Sequence, residues 1–219
     1  MKQIKMLFAA MLLCVPALLV TSCLSDNDDD FSFSEEEIAA YMRQMDGYYT
    51  GQFYFYNDTI KVQDKVDSVA VQTRITFADS TLTISGVPMR AFTRCFRQEQ
   101  YQPLCTELNK LPVQTIKTWT RFYNATQSGL VYFGIYPASS TFKVNYEDKD
   151  HELVFNYYTY LNSNGQYYNH EIACQIYITD IKLDGVTVVQ YNLNSSYIDE
   201  RALFAFMGKS SSYFTSLAK

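Results

Sequence analysis

From Tyr48 onward the chain alternates apolar and polar residues with a period of two, the spacing of strands half buried in a sheet. The clearest case is Val69, Val71, Thr73, Ile75 and Phe77 set against Ala70, Gln72, Arg74 and Thr76. Residues 48–56, 81–85, 113–123, 130–136, 141–146, 153–161, 166–183 and 186–193 read the same way. Residues 60–66 and 89–96 carry weaker versions of the pattern. Turn signals separate these runs: Asn57-Asp58, Ala78-Asp79-Ser80, the charged stretch 147–150 and Asp184-Gly185. Asn164-Gly165 is the strongest hairpin signal, because both central positions of a tight turn want positive φ. Residues 97–112 are polar and proline-bounded, with a helical turn expected near 106–110. Strand after strand joined by short turns implies an all-β antiparallel meander, forming either a closed barrel or a two-sheet sandwich.

Two segments carry helical signals instead. Ser34-Glu35-Glu36-Glu37 forms a capping box, with Ser34 and Glu37 placed to bond each other's amides. Ile38, Tyr41, Met42 and Met45 follow on one helical face, and Asp46-Gly47 ends the element. Near the C-terminus, Ser196 is placed to cap a last helix over 198–207, with Gly208 just past its end.

The N-terminus breaks from both patterns. Lys2 and Lys5 precede an apolar run from Met6 to Val20, the layout of a secretory signal peptide. That run is shorter than the roughly 20 residues needed to span a bilayer. It ends in Leu19-Val20-Thr21-Ser22-Cys23, which resembles the lipobox of bacterial lipoproteins. The resemblance implies cleavage after residue 22 and lipidation of Cys23, so the protein would meet its membrane through that lipid anchor. Residues 23–30 then form an acidic tether, Asp26 to Asp30, and residues 31–219 a single β-rich domain. An acidic cluster in this place resembles the export signal of Bacteroidetes lipoproteins sent to the outer face of the outer membrane. The periplasmic face is the alternative address. Asp58-Thr59-Ile60, Asp67-Ser68-Val69 and Asp79-Ser80-Thr81 resemble the Bacteroidetes O-glycosylation motif, which implies Thr59, Ser68 and Ser80 as acceptors.

Composition narrows the function classes. Loss of residues 1–22 leaves 16 basic against 23 acidic residues, a poor balance for holding nucleic acid through charge. The 19 Tyr and 15 Phe favour strands. Three cysteines remain besides Cys14 and Cys23. Cys95 and Cys105 flank a short polar segment and are a candidate disulfide, which the cell envelope permits. Cys174 sits at strand spacing among Ile172, Ile176 and Ile178 and reads as a buried small hydrophobe. The cysteine spacing matches no zinc pattern, and neither a metal nor a cofactor is expected.

A further resemblance comes from Gly47-Tyr48-Tyr49-Thr50-Gly51, which follows a short helix. It is similar to the opening of calycin-like (lipocalin-like) barrels, with Tyr in place of the usual Trp, and implies a ligand-holding barrel. The whole chain resembles the small Bacteroidetes lipoproteins grouped as families of unknown function, which bring no activity with them.

Catalytic parts are scarce. His151 lies in a charged turn, His170 lies beside Glu171, and neither has a second histidine at metal-ligand spacing. No nucleophile-elbow or phosphate-cradling glycine pattern occurs. Carboxylate pairs such as Glu147 and Asp148, or Asp199 and Glu200, leave glycan hydrolysis as the least favoured reading. The residues point instead to a binding module. Tyr157, Tyr158, Tyr160, Tyr167 and Tyr168 gather around Asn164-Gly165 with Asn156, Asn162 and Asn169 among them. Rings beside amides suit a glycan or a small apolar ligand. The alternative is a structural subunit with surface protein partners.

Overall fold

The computed structural model describes residues 33–57, 65–159, 162–192 and 199–211. The signal segment, Cys23, the acidic tether, Thr59 and Tyr160 lie outside the described residues.

The expected first helix is present as α1 (Glu35–Gln44). It is followed by β1 (Gly47–Tyr56), β2 (Val66–Thr76) and β3 (Thr81–Val87). The next strands are β4 (Gln114–Ala125), β5 (Val131–Pro137), β6 (Ser140–Tyr146) and β7 (Lys149–Tyr157). Last come β8 (Asn164–Tyr168), β9 (Glu171–Leu183), β10 (Val186–Gln190) and β11 (Leu203–Ser210).

Eight strands close an antiparallel barrel in the order β11-β1-β2-β3-β4-β5-β8-β9, and β9 pairs back to β11. The barrel alternative of the sequence reading therefore holds over the sandwich. Closure leaves the barrel without free strand edges. β9 is long enough to serve two sheets. Its first half pairs with β8 and β11, and its second half with β7 and β10. With β6 beyond β7, these form a second, four-stranded sheet.

Alternation assigns the two faces of the barrel. One inward row runs Phe133, Gly165, Cys174, Phe206, Phe53 and Val69 across six strands. A parallel outward row runs Tyr168, Glu171, Lys209, Thr50, Gln72, Ser85 and Thr115. Apolar inside and polar outside is the inverse of a membrane-spanning barrel, whose outer face is apolar. No helix among the described residues is long and apolar enough to cross a membrane.

Between β3 and β4 the chain makes α2 (Met89–Thr93), a 3₁₀ turn at Glu99–Tyr101 and α3 (Gln102–Leu108). Their apolar side is buried. Phe92 meets Phe142 and Phe155 of the second sheet and Phe204 of the barrel edge-on, at centroid distances of 4.9, 5.1 and 5.4 Å. Such ring pairs add to the stability gained from area alone. The strand expected over 89–96 is thus a short helix, opened by extended Pro88.

Two further expectations are corrected. The last helix over 198–207 is replaced by a 3₁₀ turn at Glu200–Ala202 and then β11. The run Leu203-Phe204-Ala205-Phe206 is too short for periodicity to tell helix from strand. Pairing on both sides, with β1 and β9, makes it the strand that closes the barrel. Asn164-Gly165 is not a turn but the start of β8. The reversal falls five residues later, at Asn169 and His170, both with positive φ. Gly165 has a packing role instead, because a Cβ there would collide with the Phe133 ring lying over it.

Candidate functional site

The tyrosines expected to form one surface are dispersed. Tyr167 faces the barrel interior and Tyr157 is buried, its hydroxyl 2.7 Å from the Ser140 hydroxyl. Burial raises the phenol pKa of both, so they act as core groups. Tyr158 is half-buried and donates to the Tyr191 carbonyl at 3.2 Å. Tyr168 alone of the described four stands out in water.

The barrel interior is occupied by rings. Tyr49, Phe53, Phe55, Phe133, Phe204 and Phe206 are all buried there. Tyr49 donates its hydroxyl to the Met45 carbonyl at 2.7 Å and ties β1 to the end of α1. This filling draws attention to the outer surfaces.

The other sequence candidates fall in separate places. Ser68 is exposed on β2, the third residue of the strand rather than part of a turn, and its amide bonds the Asp67 carboxylate at 2.8 Å. Ser80 sits in the β2–β3 turn with φ 52°, and its carbonyl accepts from the Thr120 amide at 2.7 Å. Cys95 and Cys105 are both buried thiols rather than a disulfide. Each thiol points at a backbone carbonyl, Ala91 at 3.6 Å and Thr93 at 3.8 Å respectively. Burial pushes the Cys105 thiol up to about 11 and Cys95 higher still. Cys174 is buried in the inward row, as expected.

A polar cleft of about 380 Å³ lies at the tip of the second sheet, lined by Lys143, Val144, Asn145, Asp150, His151, Glu152 and Asp184. Turn chemistry builds it: Glu147-Asp148 and Asp184-Gly185 all have positive φ and reverse the two hairpins side by side. His151 is on β7 rather than in the turn. Its Nδ1 is 2.7 Å from the Asp184 carboxylate, and its ring is 5.7 Å from that of Tyr146. The Glu152 amide also donates to Asp184, at 2.9 Å. These bonds hold the Asp184 carboxyl below its ordinary pKa, the Glu152 amide contributing most and His151 next. The lining brings no hydroxyl or thiol nucleophile to the His–Asp pair. Its evident work is to latch one hairpin tip to the other.

The surface that the sequence reading missed is on β4. Ile116, Thr118 and Thr120 point into the barrel, while Lys117, Trp119 and Arg121 point out. Thr118 is 1% exposed and Trp119, the only tryptophan of the chain, is 54% exposed. For this pair taken alone hydrophobicity selects the opposite arrangement, which Ile116 on the inner face and Lys117 and Arg121 on the outer one override. Leaving half of a tryptophan in water forgoes on the order of 3 kcal/mol of burial. The register is fixed elsewhere, by Ile116 opposite Ile84 on β3 and by Thr120 opposite Ile135 on β5. A slip of one residue would turn Ile116 out. The two inward threonines satisfy their hydroxyls on backbone carbonyls, Thr118 on Trp119 at 3.0 Å and Thr120 on Ser80 at 3.2 Å. Trp119 therefore stands between Thr81 and Tyr136 in register, with Lys117 and Arg121 two residues to either side. The alternation Lys117-Thr118-Trp119-Thr120-Arg121 was the available signal, but Trp is ordinarily assigned to the inner face.

Fold and surface together define a water-facing, closed antiparallel barrel carrying a second sheet and an exposed aromatic strip. A family model described as a domain of unknown function (DUF4840) matches residues 44–188, and the chain belongs to that family. The match takes in β1 to β9, whereas the closing strand β11 lies beyond it. No curated protein and no solved structure matches the chain.

Proposed function

We propose that this protein is a lipid-anchored, non-catalytic binding module of the cell surface whose ligand is a glycan laid on the outer barrel face around Trp119. The observation that carries the reading is the orientation of β4, which buries threonines and exposes the tryptophan. Proteins depart from local hydrophobic rules mainly where function repays the loss. A flat indole with Tyr136 and the hydroxyl of Thr81 beside it offers a sugar ring both area and hydrogen-bond direction. The ring-filled interior supports an outside site over a small apolar ligand held in the barrel. The anchor rests on Leu19-Val20-Thr21-Ser22-Cys23, and the outward address on the acids from Asp26 to Asp30.

The test is a saccharide array probed with the full-length protein in micelles. Retention on at least one saccharide is expected, with Trp119→Ala losing it at least tenfold while still unfolding in a single cooperative transition. Retention on none, or equal retention by the variant, overturns the reading. For the anchor, Cys23→Ala is expected to leave the membrane fraction; a variant that stays there contradicts it.

A further inference from the structure

We infer that the saccharide is anionic, bearing carboxylate or sulfate groups, and that Lys117 and Arg121 grip those groups on either side of the Trp119 ring. This rests on the reading of the Trp119 face as a glycan site and adds the class of glycan.

Residues two apart on a strand share a face and lie roughly 7 Å apart. Lys117, Trp119 and Arg121 thus make a cation–aromatic–cation strip on one exposed side of β4. Neither charge has an acidic partner among the described residues, whereas four cations elsewhere on the barrel and its flanking segments do. Arg74 bonds Asp46 at 2.9 Å and lies over the Tyr48 ring, and Lys209 bonds Glu171 at 2.6 Å. Arg90 reaches Asp67 at 3.5 Å, and Arg97 meets Asp199. In a chain with 23 acidic residues against 18 basic ones, two cations on either side of the sole tryptophan make a local positive patch. Their charge complements an anion, and it acts at contact range because salt screens it beyond about 10 Å.

The neighbourhood fits a saccharide better than a bilayer. Outward residues beside the strip are Thr81 and Thr83 on β3 and Tyr136 on β5, which present hydroxyls, that of Thr81 already donating to the Asp79 carboxylate at 2.7 Å. The aliphatic residues of the same strands, Leu82, Ile84, Ile116 and Ile135, are buried on the other face. Insertion into lipid needs a contiguous apolar surface, whereas an acidic sugar needs one ring face, hydroxyl partners and cations at its rim. Closure of the barrel holds the three side chains on a rigid strand before the ligand arrives.

A single tryptophan makes the test direct, because all indole emission from the full-length protein in zwitterionic micelles reports on Trp119. Oligogalacturonate, a heparin fragment and neutral maltohexaose are titrated separately, and vesicles containing phosphatidylglycerol form a fourth arm. The expected result is a saturable change in emission with oligogalacturonate or heparin, weakened at least tenfold by maltohexaose substitution and by the Lys117→Gln/Arg121→Gln pair. Binding of oligogalacturonate shows that carboxylates suffice, whereas binding of heparin, which bears both groups, without oligogalacturonate shows that sulfates are required. Both substituted residues are exposed, and unchanged melting of the double variant confirms that its fold is intact. Equal binding of maltohexaose, or of the double variant, overturns the anionic assignment and leaves the glycan site standing. No emission change with any saccharide removes both. A change with anionic vesicles and none with saccharides replaces the glycan with a membrane surface.

Discussion

Thr118 and Trp119 are consecutive on β4, and the threonine is inside the barrel while the tryptophan is in water. The Thr118 hydroxyl bonds the Trp119 carbonyl at 3.0 Å, so the buried member of the pair is satisfied by the backbone of the exposed one. If exposure of the indole has no structural purpose, removing it costs the fold little. Trp119→Ala is expected to lower stability by only about 1 kcal/mol, from the covered part of the ring and the weaker strand preference of Ala. A loss of about 3 kcal/mol or more in urea titration, the range of buried aromatics, would mean that the ring packs on the barrel and is not held free for a ligand.

The seam between β1 and β11 allows no side chain at Gly51. A Cβ there would fall within the van der Waals radius of the Met207 carbonyl oxygen, which is backbone and cannot swing aside. Gly51→Ala is expected to lower stability by about 3 kcal/mol or more, through overpacking and loss of barrel closure. A melting temperature within a degree or two of the parent would show that the seam is looser than its geometry indicates.

Tyr49 closes the barrel onto α1 through its hydroxyl and the Met45 carbonyl. Removing the donor leaves a buried acceptor unpaired, and Tyr49→Phe is expected to cost about 1–2 kcal/mol. Burial raises the pKa of this phenol, the largest of several causes, and holds it in the neutral form that donates. Tyrosinate absorbance at 295 nm should accordingly lack a contribution from Tyr49 until the protein unfolds in base.

The Asp184 latch sets a pH dependence. Its carboxyl lies below the ordinary value in the folded protein, so its contribution is present above the unfolded pKa of about 3.9 and fades as pH falls through the folded one. Between pH 6 and pH 2.5 the gap in melting temperature between the parent and Asp184→Asn should therefore close. The protection factor of the Glu152 amide, which donates to that carboxylate, should fall over the same range. A gap that stays constant with pH would show that the latch is not carboxylate-based.

Cys95, Cys105 and Cys174 are buried and their thiols are held protonated by desolvation. Since the thiolate is the reactive form, a thiol-specific reagent should label none of them in the native protein. All three should label after unfolding without reductant. Labelling of Cys174 alone would establish that Cys95 and Cys105 are joined.

The legible parts of the fold were those with a repeated local signal. The capping box over Ser34–Glu37 located α1, and strict alternation located β2 within three residues of its start. The errors came where a long-range partner decided the outcome. Asn164-Gly165 has the chemistry of a tight turn, yet the glycine is used to seat Phe133, a residue on β5. Leu203 to Phe206 became a strand because β1 and β9 offered edges on both sides, which no local window contains. The candidate site failed for a related reason. Alternation led about half of five tyrosines close in sequence to be expected on a ligand surface, but β7 and β8 belong to different sheets and, of the described four, Tyr168 alone is exposed. The strip at Lys117, Trp119 and Arg121 required the register of β3, β4 and β5 to become visible.

The most direct test of the central claim is acrylamide quenching of Trp119 emission, with and without a saturating array-selected saccharide. The indole is about half exposed in the free protein and should be quenched readily. A saccharide lying on its face should lower the quenching constant at least twofold, while Thr50→Ala, on the outer face of β1 three strands away, leaves that protection intact. An unchanged quenching constant at saturation would place the ligand elsewhere and contradict the account.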